Sequence, residues 1–244
     1  MADIKPYEDD SEKKEQIARM FDNIAGKYDF VNRLLSLGID RIWRKKAIHL
    51  LQKDNPAKVL DVATGTARVA LELSAELPNA KIIGVDISNK MLSIGRKKIN
   101  EKKLDDRIEL QYGDSEDLQF EDNEFDAVTV AFGVRNFENL AKGLEEMHRV
   151  LKPGGKMVIL EFSKPVVFPL KQLFKVYFKY VLPGIGKVMS NDRRAYKYLY
   201  ESVQAFPDYD RFLSVLNDLG YKKSKYIIMT GGICCIYTAE KQFT

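Results

Sequence analysis

The chain has 244 residues, of which 45% are hydrophobic, 39 are Lys or Arg and 35 are Asp or Glu, so its formal net charge is +4 at pH 7. The length suits one large domain, and the apolar fraction is ordinary for a protein with a buried core. The mild positive charge argues against a nucleic-acid partner. It is compatible with weak attraction to an anionic membrane surface, but it does not require a membrane contact.

The N-terminal sequence MADIKPYEDDSEKKE is highly charged and contains no apolar leader. We therefore expect a cytoplasmic protein, with a peripheral contact at the inner face of the membrane left open. No window reaches the roughly 18 uninterrupted apolar residues that a transmembrane helix needs. The most apolar stretch, Val166 to Ile185, is interrupted by three lysines.

An amphipathic helix is predicted near the N-terminus, because Ile17, Met20, Phe21 and Ile24 follow the i, i+3, i+4, i+7 spacing. Short runs rich in Val and Ile then alternate with helical patterns. The predicted strands of this region are Lys58–Val62, Lys81–Val85, Ile108–Tyr112, Ala127–Ala131 and Lys156–Glu161. The predicted helices between them are Ala67–Glu76, Ser88–Glu101, with Ser88 as its N-cap, and Asn136–Leu151, stopped by the sequence KPGG.

The last third of the chain is more helical and closes with two strands. Its predicted helices are Phe168–Leu182, Asp192–Phe206 and Tyr209–Leu219. The strands Tyr221–Met229 and Ile233–Ala239 form a hairpin at Gly231-Gly232. Cys234 and Cys235 are neighbours in the last strand and point to opposite faces, so no disulfide is expected between them.

Alternating strands and helices predict a doubly wound α/β fold, Rossmann-like, with a seven-stranded, mostly parallel sheet and one antiparallel member. We interpret residues 1–244 as one domain. Its expected parts are an N-terminal helical cap (1–52), a core (53–162), a helical insert (163–207) and a closing helix with strands (208–244). In such sheets the ligand binds beyond the carboxyl ends of the strands.

The first strand ends in Asp61 and leads through Ala63–Ala67, which includes Gly65 and Thr66, into a helix. We expect Asp61, Gly65 and Thr66 to be among the cofactor-binding residues. Small residues let a ligand approach the backbone there, and the free amides of the helix start can meet a carboxylate. The G-x-G-x-x-G spacing of dinucleotide-binding loops is absent, which disfavours a nicotinamide dehydrogenase. The pattern D-x-A-x-G-T resembles motif I of the class I methyltransferases, with a plain strand–helix turn as the alternative.

Two further strands end in acidic residues. Asp86 follows the second strand, where a carboxylate can accept two ribose hydroxyls. It could instead cap a helix, but Ser88 already serves that purpose. Asp114 could accept from an adenine amino group while Ser115 offers its amide; a simple turn is the alternative for Asp114. Acidic residues at three successive strand ends favour an S-adenosyl-L-methionine site.

Several segments together resemble the quinone-biosynthesis C-methyltransferases, which act on demethylmenaquinol and on its ubiquinone-pathway counterpart. The segments are Ala18–Lys46, Ala131–Phe137 (AFGVRNF), Arg149–Gly155 (RVLKPGG), Leu160–Pro165 (LEFSKP), Leu182–Gly186 (LPGIG) and Asp192–Pro207. The resemblance implies methyl transfer from S-adenosyl-L-methionine to a ring carbon of a polyprenylated quinol. It is slightly closer to the menaquinone-dedicated members, and the ubiquinone-pathway reaction is the alternative.

The resemblance also implies that Thr66, Asp86, Asp114 and Ser115 contact the cofactor. This chain departs from the family pattern in two places. Ala67 and Arg68 stand where members usually have Gly-Asp, and Ala67 adopts a positive φ less easily than glycine does. Ala131 stands where some members have a serine, so that hydroxyl is missing.

For the reaction itself, Arg135 is our first candidate to bind the quinol oxygen, since it is a permanently charged donor after the fourth strand. Asn136 either contacts the substrate or caps the next helix. We expect Tyr28, Asp29 and Asn32 to close over the cofactor, and Tyr28 to contact the substrate as well. We expect Tyr196 and Tyr200 to line the quinol pocket, with ordinary packing as the alternative for each tyrosine. His49 and His148 are weak candidates for a base, and the reaction requires no metal.

The stretch Phe168–Ile185 combines aromatic residues with lysines. It is either the packed core of a helical insert or a lid that touches the bilayer and admits the isoprenoid tail. A nucleic-acid or other small-molecule methyltransferase, and a cofactor-binding protein without catalysis, remain as alternatives from other classes. A homo-oligomer is left open.

Overall fold

The computed structural model describes residues 4–177, 192 and 194–243. Its helices are α1 (Lys13–Leu35), α2 (Asp40–Gln52), α3 (Arg68–Glu76), α4 (Asn89–Glu101), α5 (Leu140–Val150), α6 (Leu170–Val176), α7 (Arg194–Ala205) and α8 (Asp210–Asp218). Its strands are β1 (Lys58–Val62), β2 (Lys81–Asp86), β3 (Ile108–Tyr112), β4 (Phe125–Ala131), β5 (Leu151–Phe162), β6 (Lys222–Met229) and β7 (Cys234–Glu240). Within these ranges no helix is long and apolar enough to cross a bilayer.

The strands form one seven-stranded sheet in the order β3-β2-β1-β4-β5-β7-β6. Neighbours from β3 to β5 run parallel, and β7 runs antiparallel to both β5 and β6. The predicted α/β fold with one antiparallel strand is confirmed. Strand order reverses between β1 and β4, so the loops after these strands separate and leave a crevice.

Hydrophobic cores lie on both faces of the sheet. One contains Trp43 of α2 and Leu73 of α3, and the other contains Leu144 of α5 and Phe212 of α8. Cys234 belongs to the first core and Cys235 to the second, because neighbouring residues of a strand face opposite ways. Both are free thiols, as expected.

The helix predicted from Asn136 begins later. Val134–Asn136 form a 3-10 turn, Phe137 is extended, and α5 starts at Leu140. Asn139 is its N-cap: the side chain accepts from the Lys142 amide at 3.2 Å. The proposed capping role of Asn136 is therefore wrong, because the chain leaves helical geometry at Phe137.

The C-terminal third follows its prediction with shorter elements. The predicted helix Phe168–Leu182 is observed as α6, and its continuation, with Leu182–Gly186, lies outside the described residues. The KPGG sequence ends α5, as predicted, and lies inside β5. Strands β6 and β7 form the predicted hairpin through a 3-10 turn in which Gly231 and Gly232 have positive φ.

Candidate active site

The loop after β1 is tightly bent. Ala63, Gly65 and Ala67 have φ angles of 54°, 56° and 61°, in the left-handed region. Ala67 thus adopts the conformation that its side chain disfavours, at a cost of about 1–2 kcal/mol relative to glycine. Its fully buried methyl group packs within the core formed with Leu73 and Leu92, which offsets part of this cost.

Asp86 ties this loop to the turn after β2. One carboxylate oxygen accepts from the Gly65 amide at 2.8 Å, and the other accepts from the Ser88 amide at 2.8 Å. Burial raises the pKa of Asp86 to about 6 despite these bonds. Each oxygen has a further lone pair, so the fixed carboxylate can still accept ribose hydroxyls.

Asp61, near the end of β1, stabilises the same loop through a hydrogen bond. It is buried and accepts from the Thr64 hydroxyl at 2.6 Å, and burial raises its pKa to about 7. Among the described residues it lines neither of the cavities at the carboxyl edge of the sheet. Its position indicates support of the loop rather than direct contact with a ligand.

A first cavity, called the cofactor cavity below, lies between α1 and the ends of β1, β2 and β3. Its polar lining includes Gly65, Asp86, Asp114 and Ser115, as the sequence predicted for a cofactor site, together with Asn136. The Asp114 carboxylate accepts from the Glu116 amide at 2.9 Å, which fixes its orientation. The carboxylate of Asp86 at a strand end and the close backbone of Gly65 fit a nucleoside ligand.

Helix α1 covers both cavities and is fastened by two carboxylates. Asp22 accepts from the Ser88 hydroxyl at 2.6 Å. Asp29 accepts from the Thr66 hydroxyl at 2.8 Å and from the Lys98 ammonium, which also donates to the Thr66 carbonyl at 3.0 Å. The Thr66 hydroxyl is thus directed at α1.

Arg68, the departure from the family pattern, contributes to the same attachment. Its guanidinium lies 3.7 Å from the Asp29 carboxylate and 3.6 Å from that of Asp40 on α2. Asp40 also pairs with Arg44, which pairs with Glu72 on α3 at 3.0 Å. A chain of ion pairs therefore joins α1, α2 and α3 beside the loop.

A second cavity of about 360 Å³, called the apolar cavity below, adjoins the first. One wall is an aromatic group in which the ring centroids of Phe132 and Phe162 are 4.6 Å apart and Trp43 lies 6.3 Å from each. The Trp43 indole donates to the Thr230 hydroxyl at 2.7 Å. The two cavities share Tyr28 and Phe132. Sequence reasoning missed Trp43 and Phe162, since nothing local shows that they converge.

Arg135 lies in the wall of the apolar cavity and is 8% exposed. Its Nη1 donates to the Glu161 carboxylate at 2.9 Å and to the Phe132 carbonyl. Glu161 is fully buried, and burial raises its pKa while the Arg135 guanidinium opposes that rise. Glu161 was also missed, although LEFSKP contains it, because its partner lies 26 positions earlier.

The remaining predicted residues occupy three places. Tyr28 lines both cavities, and its pKa is raised by burial. Tyr196 is buried and lines the apolar cavity together with Asp29 and Asn32. Tyr200 packs in the neighbouring cluster with Val203 and is not among the described lining residues.

Tyr198, which was not predicted, lines the apolar cavity and donates to the Asn136 side chain at 3.2 Å. The histidines lie elsewhere: His49 is exposed, and His148 packs edge-on against Tyr221 at 4.8 Å.

Comparison with known proteins identifies similar chains. The family model of the ubiE/COQ5 methyltransferase family matches residues 9–241. A demethylmenaquinone methyltransferase of Bacteroides fragilis is 48% identical over 238 residues, which cover 98% of this chain and 97% of the relative. A ubiquinone/menaquinone biosynthesis C-methyltransferase UbiE of Geotalea uraniireducens is 47% identical over 232 residues, covering 95% and 98%.

Solved structures share the fold at low sequence identity. An S-adenosylmethionine-dependent methyltransferase from Thermotoga maritima has a TM-score of 0.67 at 16% identity, covering 93% of this chain and all of that one. A phosphoethanolamine N-methyltransferase from Haemonchus contortus, in complex with S-adenosylhomocysteine, has a TM-score of 0.57 at 18% identity, covering 76% and 48%. The cofactor cavity and the family match agree: this chain is an S-adenosylmethionine-dependent methyltransferase and belongs to the ubiE/COQ5 methyltransferase family.

Proposed function

We propose that this enzyme transfers a methyl group to a ring carbon of a polyprenylated quinol, and that demethylmenaquinol, a precursor of menaquinone, is its acceptor. The observation that carries the proposal is the large apolar cavity, with an aromatic wall, that meets the cofactor cavity at Phe132. Apolar walls with few polar groups suit a flat aromatic ring and an isoprenoid tail. The names of the Bacteroides and Geotalea relatives support this acceptor, and the second name supports the ubiquinone-pathway precursor as the other candidate.

In the proposed chemistry the quinol loses a phenolic proton, so that its oxygen carries the negative charge that makes the ring carbon nucleophilic. The ring carbon then gains the methyl group and loses its own proton, the oxygen is protonated again, and one proton in total is released to solvent. S-adenosylmethionine supplies an electrophilic methyl group when bound. Arg135 donates to the quinol oxygen and stabilises its negative charge, because a guanidinium remains charged at every working pH. Tyr28, which lines both cavities and whose pKa is raised by burial, is proposed to donate a second hydrogen bond to this oxygen.

The enzyme is further proposed to meet its substrate at a membrane surface. Large apolar side chains, called the apolar rim below, are exposed on the segments that line the apolar cavity. They are Phe30, Leu34, Leu37, Ile42, Val166, Val167, Phe168, Leu173 and Val176. Leu37 and Leu173 also line the cavity, so the rim adjoins its mouth.

Exposed basic side chains accompany the rim. They are Arg33, Arg41, Lys45, Lys46, Lys171 and Lys175. The only acidic residue within 30–46 is Asp40, which is buried and paired, and 164–177 contains none. Apolar groups flanked by cations complement an anionic bilayer, into which the rim can insert while the cations meet head groups.

Methyl transfer to candidate acceptors tests the enzymatic part of the proposal. Purified enzyme receives labelled S-adenosylmethionine with demethylmenaquinol, with the ubiquinone-pathway precursor, or with menaquinol, which already carries the methyl group, as the control. We expect transfer to demethylmenaquinol to be the fastest and none to menaquinol. The proposal is contradicted if all three compounds are labelled equally, or if none of them is labelled.

Sedimentation with liposomes tests the membrane part. We expect binding to vesicles that contain anionic lipid, and weaker binding by Leu37→Ser, which removes an 83% exposed rim residue. Ile228→Ser, at a 49% exposed position on β6, is the matched control and should bind as the unmodified enzyme does. Absence of lipid binding, or a rim-dependent dimer in size-exclusion chromatography without lipid binding, rejects the membrane contact.

A further inference from the structure

We propose that Glu161 is the positioning residue for Arg135: it holds the guanidinium at the wall of the apolar cavity and balances its charge before the quinol oxygen becomes negative. The effect of this positioning on catalysis rests on the proposed function. The positioning itself can be measured without any quinol.

One carboxylate fixes Arg135 at two points. Glu161 Oε2 accepts from the backbone amide of Arg135 at 3.3 Å, and Oε1 accepts from its Nη1 at 2.9 Å. Oε1 also accepts from the Phe162 amide at 2.8 Å, which holds the carboxylate at the end of β5. The 3-10 turn and the guanidinium it carries are therefore both set by Glu161.

Arg135 retains hydrogen-bonding capacity that the described protein does not use. Its Nε is buried and has no hydrogen-bond partner among the described residues. A buried donor without a partner is unfavourable, so such groups in folded proteins usually serve a ligand or a water molecule. The guanidinium carbon lies 5.6 Å from the centre of the Phe162 ring, which restricts its movement. A substrate oxygen could satisfy this donor only after a side-chain movement that exposes Nε.

Among the residues that the structure describes, the groups around the ion pair are otherwise uncharged at neutral pH. The titratable groups that face it are Tyr28 of α1, Tyr198 of α7 and Cys234 of β7, and burial raises the pKa of each. Because these groups stay protonated, Glu161 is the counter-charge that Arg135 contacts within the described part of the chain. Its removal would leave an isolated cation in an apolar cavity.

Kinetics of Glu161→Gln test the consequence for catalysis. We expect kcat to fall by about tenfold because glutamine offers one acceptor oxygen where the carboxylate offers two, so that Arg135 is held less firmly, while KM for S-adenosylmethionine stays within about twofold. The acidic limb of the kcat–pH profile should move to lower pH, because an uncompensated cation stabilises the quinol oxyanion. A purely structural role for Glu161 would lower activity without moving this limb.

Two variants separate positioning from the loss of a buried charge. Asp208→Asn removes a buried carboxylate that pairs with Lys164 at 3.2 Å, away from both cavities, and should leave the limb in place. Glu161→Asp keeps the charge but shortens the side chain, so it should lower kcat without moving the limb. A shift of the acidic limb therefore reports the loss of the negative charge of Glu161, whereas a lower kcat with an unmoved limb reports a displaced Arg135 side chain.

The ¹⁵N–¹H signal of the Arg135 Nε–H group gives a readout that needs no quinol. Arg135→Lys assigns the signal by abolishing it. We expect slow exchange with solvent in the unmodified enzyme and exchange at least about tenfold faster in Glu161→Gln, because the side chain is no longer held. If the unmodified enzyme methylated no quinol, this measurement would still test the positioning.

Three results would overturn the proposal. One is Glu161→Gln with an unmoved limb, kcat within twofold and an unchanged Arg135 signal. Another is a loss of more than about a thousandfold with the limb abolished, which would make Glu161 the proton acceptor. If Glu161→Gln does not fold, an unchanged Arg135 signal in Glu161→Asp contradicts the proposal, and faster exchange supports it.

Discussion

The Asp29 carboxylate on α1 accepts a hydrogen bond from the Thr66 hydroxyl, with 2.8 Å between the two oxygen atoms. This contact joins the helix that covers the cofactor cavity to the loop on which the cofactor would lie. Lys98 strengthens it by donating to both residues. The position of α1 and the shape of the loop should therefore depend on each other.

Asp29→Ala should weaken binding of S-adenosylhomocysteine by about tenfold, or about 1.4 kcal/mol, because α1 loses its attachment to Thr66 and Lys98. Isothermal titration calorimetry measures this change. Glu15→Ala, at an exposed position of the same helix, is the control and should leave the affinity unchanged. An Asp29→Ala affinity within twofold of normal would show that the attachment does not serve cofactor binding.

Stability should depend on pH through Asp61. Its pKa of about 7 in the folded chain is above the value of about 3.9 for an exposed aspartate, so between these values the folded chain holds a proton that the unfolded chain has lost. Its contribution to the free energy of unfolding is complete below pH 4 and is lost as pH rises through 7. The amide introduced by Asp61→Asn cannot titrate, so the variant does not lose this contribution as pH rises. The Tm of the variant minus the Tm of the unmodified protein should therefore increase from pH 5 to pH 8.

Thermal unfolding without cofactor at several pH values checks this expectation. The difference between the two proteins isolates Asp61 from other titrating groups, including Asp86. A Tm difference that stays constant across this range would mean that Asp61 is already ionised in the folded chain at pH 5.

Gly26→Ala should stabilise the protein by about 1 kcal/mol, because Gly26 is an exposed interior position of α1 and a methyl group there would meet nothing within 4 Å. The Tm should rise by about 2–4 °C. Gly38→Ala is the matched control: it also has open space, but its φ is +75°, so the Tm should fall. A fall in Tm for Gly26→Ala would contradict this view of α1.

Arg135→Ala should lower kcat for quinol methylation by at least about tenfold, because the quinol oxyanion loses its charged donor. The Kd of S-adenosylhomocysteine should change by less than about twofold, since Arg135 is not among the described residues of the cofactor cavity. Steady-state kinetics and calorimetry check the two halves. Full activity with normal substrate affinity would remove Arg135 from the mechanism.

Local patterns predicted the fold well. The limits of β1 and β3 agree with their predictions at both ends. In β1 the signal is a short, mostly apolar run before a turn, and in β3 it is the alternation of apolar and polar residues in IELQY. The start of α5 was wrong, since an extended Phe137 separates Asn136 from the helix. This local backbone geometry has no clear signature in the spacing of apolar residues.

The candidate site was predicted in part. Asp86 and Asp114 lie where the strand ends predicted, because the carboxyl ends of parallel strands share one edge of a sheet. Glu161 and Trp43 could not be predicted in the same way. Their partners, Arg135 and Phe162, come from distant parts of the chain, so only the packing of the whole fold brings them together.

The proposed reaction is methyl transfer to a ring carbon of a quinol. Its most direct test is the structure of the product formed from demethylmenaquinol and S-adenosylmethionine that carries a deuterated methyl group. We expect a product heavier by one labelled methyl group, with the signal of one ring proton lost and both hydroxyl groups free. A label on a quinol oxygen, or no labelled quinol at all, would contradict it.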